Sequence, residues 1–135
     1  MKNDKIVLIS SAVIINNENK ILAVKRNPEK RWNPNKWSLI AGQIETGETP
    51  LEAMTREIGE ELLGDFKFEI LKEGKAFPSD YEDTNFTIYP FLVKYISGDI
   101  ILDHEHTEYK WVTKKEFLGL DIVEKNKFDI ESFEF

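Results

Sequence analysis

The sequence predicts a single α/β domain spanning residues 1–135. Short Val- and Ile-rich segments separated by polar turns signal strands, and one segment combines a capped start with an apolar stripe at helical spacing. A chain of 135 residues can also bury roughly two-thirds of the surface its unfolded form exposes, so one core suffices.

Residues 5–15 and 20–26 flank NNENK, which predicts two strands joined by a polar turn. The stretch NPEKRWNPNK, with two prolines and three asparagines, reads as an exposed loop. WSLIAG follows as a short strand running into a glycine turn. Residues 66–76 and 86–97 read as longer strands, with Pro90 pointing to an edge or a bulge. EYKWVT is a further strand, a short helix begins at Thr113, and the pattern of DIVEKNKFDIESFEF is ambiguous.

The strongest local signal lies in TPLEAMTREIGEELLG, residues 49–64. Thr49 is a good N-cap, Pro50 suits the first helical position, and Glu52 completes a T-x-x-E capping box. Gly64 is placed to stop the helix. At about 100° per residue, Leu51, Met54, Ile58 and Leu62 share a face that can dock on a sheet. Glu57, Glu60 and Glu61 occupy a separate arc.

Bulk composition excludes several classes. Without cysteine there is no disulfide framework and no thiolate metal site, and a cytoplasmic location is expected. No secretory signal is visible, and nothing approaches the roughly twenty apolar residues of a membrane span. A net charge of −7 argues against extended nucleic-acid binding, which needs clustered Lys and Arg. A small anionic ligand remains compatible if a cation or a local basic patch receives it.

The acidic arc is oddly placed. Like charges at i,i+3 and i,i+4 cost about 0.2–0.5 kcal/mol per pair, and the negative end of the helix dipole adds to this. A solvated face is the ordinary reading of a charge run. A hard divalent cation such as Mg²⁺ would instead offset the repulsion, because it takes carboxylate oxygens and joins them to substrate phosphates.

From Gly42, GQIETGETPLEAMTREIGEELLG resembles the Nudix box, G-x5-E-x7-R-E-U-x-E-E-x-G-U with U aliphatic. Gly42, Glu48, Arg56, Glu57, Ile58, Glu60 and Glu61 fall in register. The end departs: Leu63 and Gly64 stand where the pattern has glycine and an aliphatic residue, which suggests a helix one residue longer. Gly59, inside the helix, costs about 1 kcal/mol relative to Ala and has no evident reason.

The resemblance implies an α/β/α sandwich with a mixed β-sheet between helices. It implies hydrolysis of a nucleoside diphosphate linked to another group, with Mg²⁺, or Mn²⁺ as a substitute. Carried over by position, Glu57, Glu60 and Glu61 are metal-binding carboxylates and Glu57 is the first choice of base. Arg56 orients Glu57, Glu48 ties the loop to the helix, and Gly42 permits a tight turn. Glu105, six residues before Trp111, stands where many similar proteins carry a metal-binding or catalytic glutamate, with Glu108 in reserve.

Several further residues carry two readings. Lys25 and Arg26 end a strand leading toward the site and either could clamp a phosphate; a solvated strand end is the plain alternative. His104 and His106 form an H-x-H pair, but no third nitrogen or sulfur ligand accompanies them, so exposed histidines are expected rather than zinc. Trp32, Trp37, Phe77 and Tyr81 are candidates for stacking on a base, although most such aromatics pack; Trp111 fits the core.

The compact chain favours a nucleoside triphosphate, normal or oxidised, cleaved to the monophosphate plus pyrophosphate. Pro78 is a weak pointer to ADP-ribose, and nucleotide sugars are a further alternative. A non-catalytic nucleotide-binding module and an acidic interaction domain are the competing classes. A homodimer is compatible with the sequence.

Overall fold

The computed structural model describes residues 5–81 and 84–135. Among the described residues, eight strands and three helices follow one another: β1 (Ile6–Ile15), β2 (Ile21–Arg26), β3 (Trp37–Ser38), β4 (Ile40–Gln43), α1 (Pro50–Glu61), β5 (Lys67–Glu73), β6 (Phe77–Tyr81), β7 (Thr84–Ser97), β8 (His106–Val112), α2 (Lys114–Leu118) and α3 (Asn126–Glu131).

The sheet is mixed. β1 and β7 run parallel through its centre over Ile6–Ile15 and Asn85–Lys94, and the other pairings are antiparallel. Alternation along β1 divides the core between the faces. Ala12 and Ile14 join Leu22, Val24, Ile40, Phe91 and Val93 beneath Met54, Ile58 and Leu62 of the α1 segment. Val13 and Ile15 point the other way, against Phe117 of α2, Ile130 of α3 and Phe133. Helices therefore cover both faces, giving the α/β/α sandwich.

Four readings from the sequence change. Pro90 is not at an edge, since it lies within β7 opposite Ser11 of β1. It is tolerated because the antiparallel neighbour of β7 changes there: β6 pairs as far as Ile88 and β5 begins at Phe91. The Pro90 carbonyl accepts from Gly74 in the connection between these strands, so the missing N–H faces the break.

The second change is at the end of α1. The helix stops at Glu61 and is not lengthened to Gly64; Leu62 caps it in an extended conformation. Pairing with a distant segment pulls the chain out of the helix: Leu63 N–H donates to Ile101 at 2.7 Å and Asp103 N–H donates to Glu61 at 3.1 Å. Gly64 has a different task, because a Cβ there would run into the backbone of Asp99. Third, Leu51 is 43% exposed; Ala53 takes the place beside Met54 that the helical stripe assigned to it.

The fourth concerns the histidines. His106 is buried, whereas His104 is exposed, as expected for both. Thr113 does start α2, through a second capping box with Glu116. β6 and α3 had no clear signal, and each depends on tertiary partners: β6 on pairing with β7, and α3, which has no side-chain cap, on its buried Asn126, Asp129 and Ile130.

Candidate active site

The segment joining β4 to α1 is held by one side chain. Arg56 grips Glu48 through two parallel contacts, Nε to Oε2 at 2.6 Å and Nη2 to Oε1 at 2.9 Å. Nη2 also donates to the Gln43 carbonyl at 2.9 Å, and Nη1 donates to Glu57 at 2.8 Å and Glu60 at 3.1 Å. The planar guanidinium suits this, since its fixed fork satisfies several oxygens at once. Glu48 returns the tie by accepting from Glu45 N–H at 2.8 Å. Gly47, at φ 89°, makes the turn between them in a region L side chains avoid. Arg56 pulls the Glu48 carboxyl below its ordinary pKa, and Glu48 in turn pushes the Arg56 guanidinium further into its charged form.

Glu57 reaches inward from this node. A Cβ on Gly42 would fall on the Glu57 carboxyl group, so β4 needs glycine there to make room. The start of α1 is fixed against β1 by Ser10 Oγ, which donates to the Pro50 carbonyl at 2.6 Å. Burial raises the Glu57 pKa, and Arg56 opposes that rise. Glu61, one turn on, is buried almost completely. Burial pushes its carboxyl well above the usual range, and the adjacent Glu57, Asp103 and Glu105 push it further. Its Oε2 receives no donor among the described residues, and one side chain within hydrogen-bonding reach of its carboxyl is another acid, Glu57.

The other wall comes from the segment entering β8. His106 Nε2 lies 3.3 Å from Glu61 Oε1, and its Nδ1 lies 2.9 Å from Asp103 Oδ1. Glu105 is half-buried and pairs with Lys30 of the β2–β3 loop at 3.1 Å. Burial would raise its pKa, but Lys30 and the flanking histidines outweigh this and hold it below the ordinary value.

A bulge between Lys25 and Arg26 lets Arg26 pair with His106. Arg26 donates from Nε to the Trp32 carbonyl at 3.0 Å and sits in the field of Glu61 and Glu105. Lys25 turns elsewhere, its Nζ 5.9 Å from the centre of the Trp37 ring. Glu108 is exposed on β8 opposite Lys25.

Among the aromatics, Trp37 is in the core, Trp32 meets Tyr81 edge-on at 5.5 Å, and Phe77 lies 6.0 Å from Phe128. Trp111 packs on Tyr95 at 5.4 Å. Asp103 and the burial of His106 had no signature in the sequence: a histidine among acids reads as surface until its remote partner, Glu61, is in place.

The donor set suits a hard divalent cation. It offers carboxylate oxygens, one of them buried and unpartnered, which is costly unless something positive compensates. Glu57 and Glu61 are brought together, whereas Glu60 is turned to Arg56 and Glu105 to Lys30. Among the described residues no three acidic or imidazole groups are already converged at ligating geometry.

The family profile of the NUDIX domain matches residues 7–132. A nucleoside triphosphatase, NudI, from Enterobacter sp. (strain 638) is 31% identical over 124 residues, covering 84% of this chain and 87% of that protein. A dihydroneopterin triphosphate diphosphatase from Haemophilus influenzae is 24% identical over 151 aligned residues, covering 99% and 89%. Among solved structures, the MutT protein from Methanosarcina mazei Go1 superposes with a TM-score of 0.82 at 23% identity over 94% of this chain and 91% of its own; a likeness at that identity speaks for the fold.

Proposed function

The chain belongs to the Nudix family, and from that premise we propose that it hydrolyses a nucleoside triphosphate to the monophosphate and pyrophosphate with Mg²⁺ bound at the acidic end of α1. The observation that carries the metal part is the buried, unpartnered Oε2 of Glu61 beside Glu57. The substrate class is supported by the relative at 31% identity, a nucleoside triphosphatase matched over 87% of its length.

In this reading Glu57, Glu60 and Glu61 hold the ion, with Glu105 the further acid. Bound there, Mg²⁺ supplies charge neutralisation on the phosphate oxygens. Water oxygen adds to phosphorus, the bridging P–O bond breaks, and pyrophosphate leaves. Glu57 accepts the water proton. Arg56 donates to its Oε1 and orients the side chain, and the upward push of burial makes the carboxylate a better base. Arg26, facing Glu61 and Glu105, contacts a phosphate; Lys25, beside Trp37, is the weaker candidate. Glu48 and Gly42 act through shape: one anchors the loop, the other leaves space for Glu57.

The test is a screen of nucleoside triphosphates, ADP-ribose and nucleotide sugars with Mg²⁺ or Mn²⁺, with products identified by mass. Triphosphates giving monophosphate plus pyrophosphate are expected. Cleavage confined to ADP-ribose or sugar conjugates moves the assignment to those substrates, and nucleotide binding without turnover makes the chain a sensor. Gel filtration with light scattering decides whether it works as a homodimer.

A further inference from the structure

We propose that His106, braced by Asp103, is a positioning residue that fixes the Glu61 carboxylate so that Oε2 is presented to the divalent ion; this rests on the metal-binding reading above. The imidazole side chain is only 2% exposed and stands between two acids, with Nε2 at 3.3 Å from Glu61 Oε1 and Nδ1 at 2.9 Å from Asp103 Oδ1. With Nδ1 donating to Asp103, a second proton lying between Nε2 and Oε1 is what ties the ring to Glu61, and Oε2 receives no donor among the described residues. A carboxylate held through one oxygen swings less, which favours a ligand that must keep its orientation each time the ion leaves.

The brace is itself anchored. Asp103 donates its N–H to the Glu61 carbonyl at 3.1 Å, and its Oδ1 also accepts from Glu105 N–H at 3.3 Å. One aspartate thus ties the backbone end of Glu61, the ring beside its carboxylate, and the backbone of Glu105. A histidine serving packing alone would gain nothing from facing two carboxyl groups, because burying polar groups is costly and an apolar side chain fills the volume without that cost. The contacts join the C-terminal end of α1 to the entry of β8, so the two halves of the acidic site are set relative to each other through His106.

The measurement is Mn²⁺ affinity of the substrate-free protein, read from the electron paramagnetic resonance signal of free Mn²⁺, alongside melting temperature and the Mg²⁺ dependence of turnover. His106→Ala is expected to weaken Mn²⁺ binding ~10–100-fold. Asp103→Asn should weaken it less, and His106→Gln should regain part of the loss because its amide can still meet Glu61. At saturating Mg²⁺ the nucleotide KM should move little. Should His106→Ala not fold, the Asp103→Asn and His106→Gln proteins decide. Wild-type Mn²⁺ affinity in these variants, with Glu61→Gln still impaired, overturns the positioning role alone. Equal Mn²⁺ affinity in wild type and Glu61→Gln overturns the metal reading and this inference with it.

Discussion

Two carboxylates are buried on opposite faces of the sheet, and they are treated differently. Asp129 of α3 has both oxygens occupied: Ser11 Oγ donates to Oδ1 at 2.5 Å and Asn126 Nδ2 donates to Oδ2 at 3.0 Å. Asn126 in turn accepts from Leu39 N–H at 3.2 Å, so the cluster stitches α3 to β1 and to the β3–β4 junction. Glu61 of α1 is buried as deeply, yet among the described residues its Oε2 receives no donor and the nearest groups include further acids. A buried acid with a donor on each oxygen is accounted for by the scaffold. One kept short of donors, at a cost to stability, is what the proposed metal site calls for.

Among substitutions, Glu57→Gln is the largest expected break, lowering turnover by ~10²–10⁴-fold with the fold intact by circular dichroism. Chelation of divalent ions should abolish turnover altogether in the same assay. Next comes the pH response of the satisfied acid. Burial raises Asp129 to about 6, against the pull of Ser11, Asn126 and Lys125. Its folded pKa exceeds the unfolded one, so its contribution is fully present below about pH 4 and fades as pH rises through about 6, a change of roughly 3 kcal/mol. Denaturant melts from pH 4 to 7 should show this decline, flattened in Asp129→Asn; an equal slope in both proteins removes Asp129 as its source.

Opposite signs of stability then sharpen the contrast. Asp129→Ala strands the Ser11 and Asn126 donors and should cost roughly 2 kcal/mol near pH 5. Glu61→Gln relieves an uncompensated carboxyl and should gain roughly 1 kcal/mol in chelator while turnover is lost. A destabilised Glu61→Gln protein would count against the site reading. The smallest effect lies outside both clusters: Gly59 faces open space on α1, so Gly59→Ala should raise the melting temperature by the equivalent of about 0.5–1 kcal/mol without touching turnover.

How legible these regions were follows from the range of the interactions. The start of α1 was readable because Thr49, Pro50 and Glu52 act on the backbone within one turn, and the first strands because Val and Ile are concentrated in runs bounded by a polar turn. The end of α1 was not, because Leu63 is drawn off by Ile101 and Gly64 is fitted against Asp99, neither adjacent in sequence. His106 was misread for the same reason. Leu51 shows a subtler limit: helical periodicity names a stripe, but the sheet beneath the first turn decides how far that stripe is covered.

Position 42 offers a handle. The atoms a methyl group would displace there are the carboxyl end of a flexible acid, not backbone, so Gly42→Ala is expected to push Glu57 off the position where Arg56 holds it while the strand pairing with Ser10 stays intact. On the proposed function, adding a single carbon is expected to yield a folded decoy, able to hold a nucleotide without consuming it and suited to fishing the natural substrate from a cell extract.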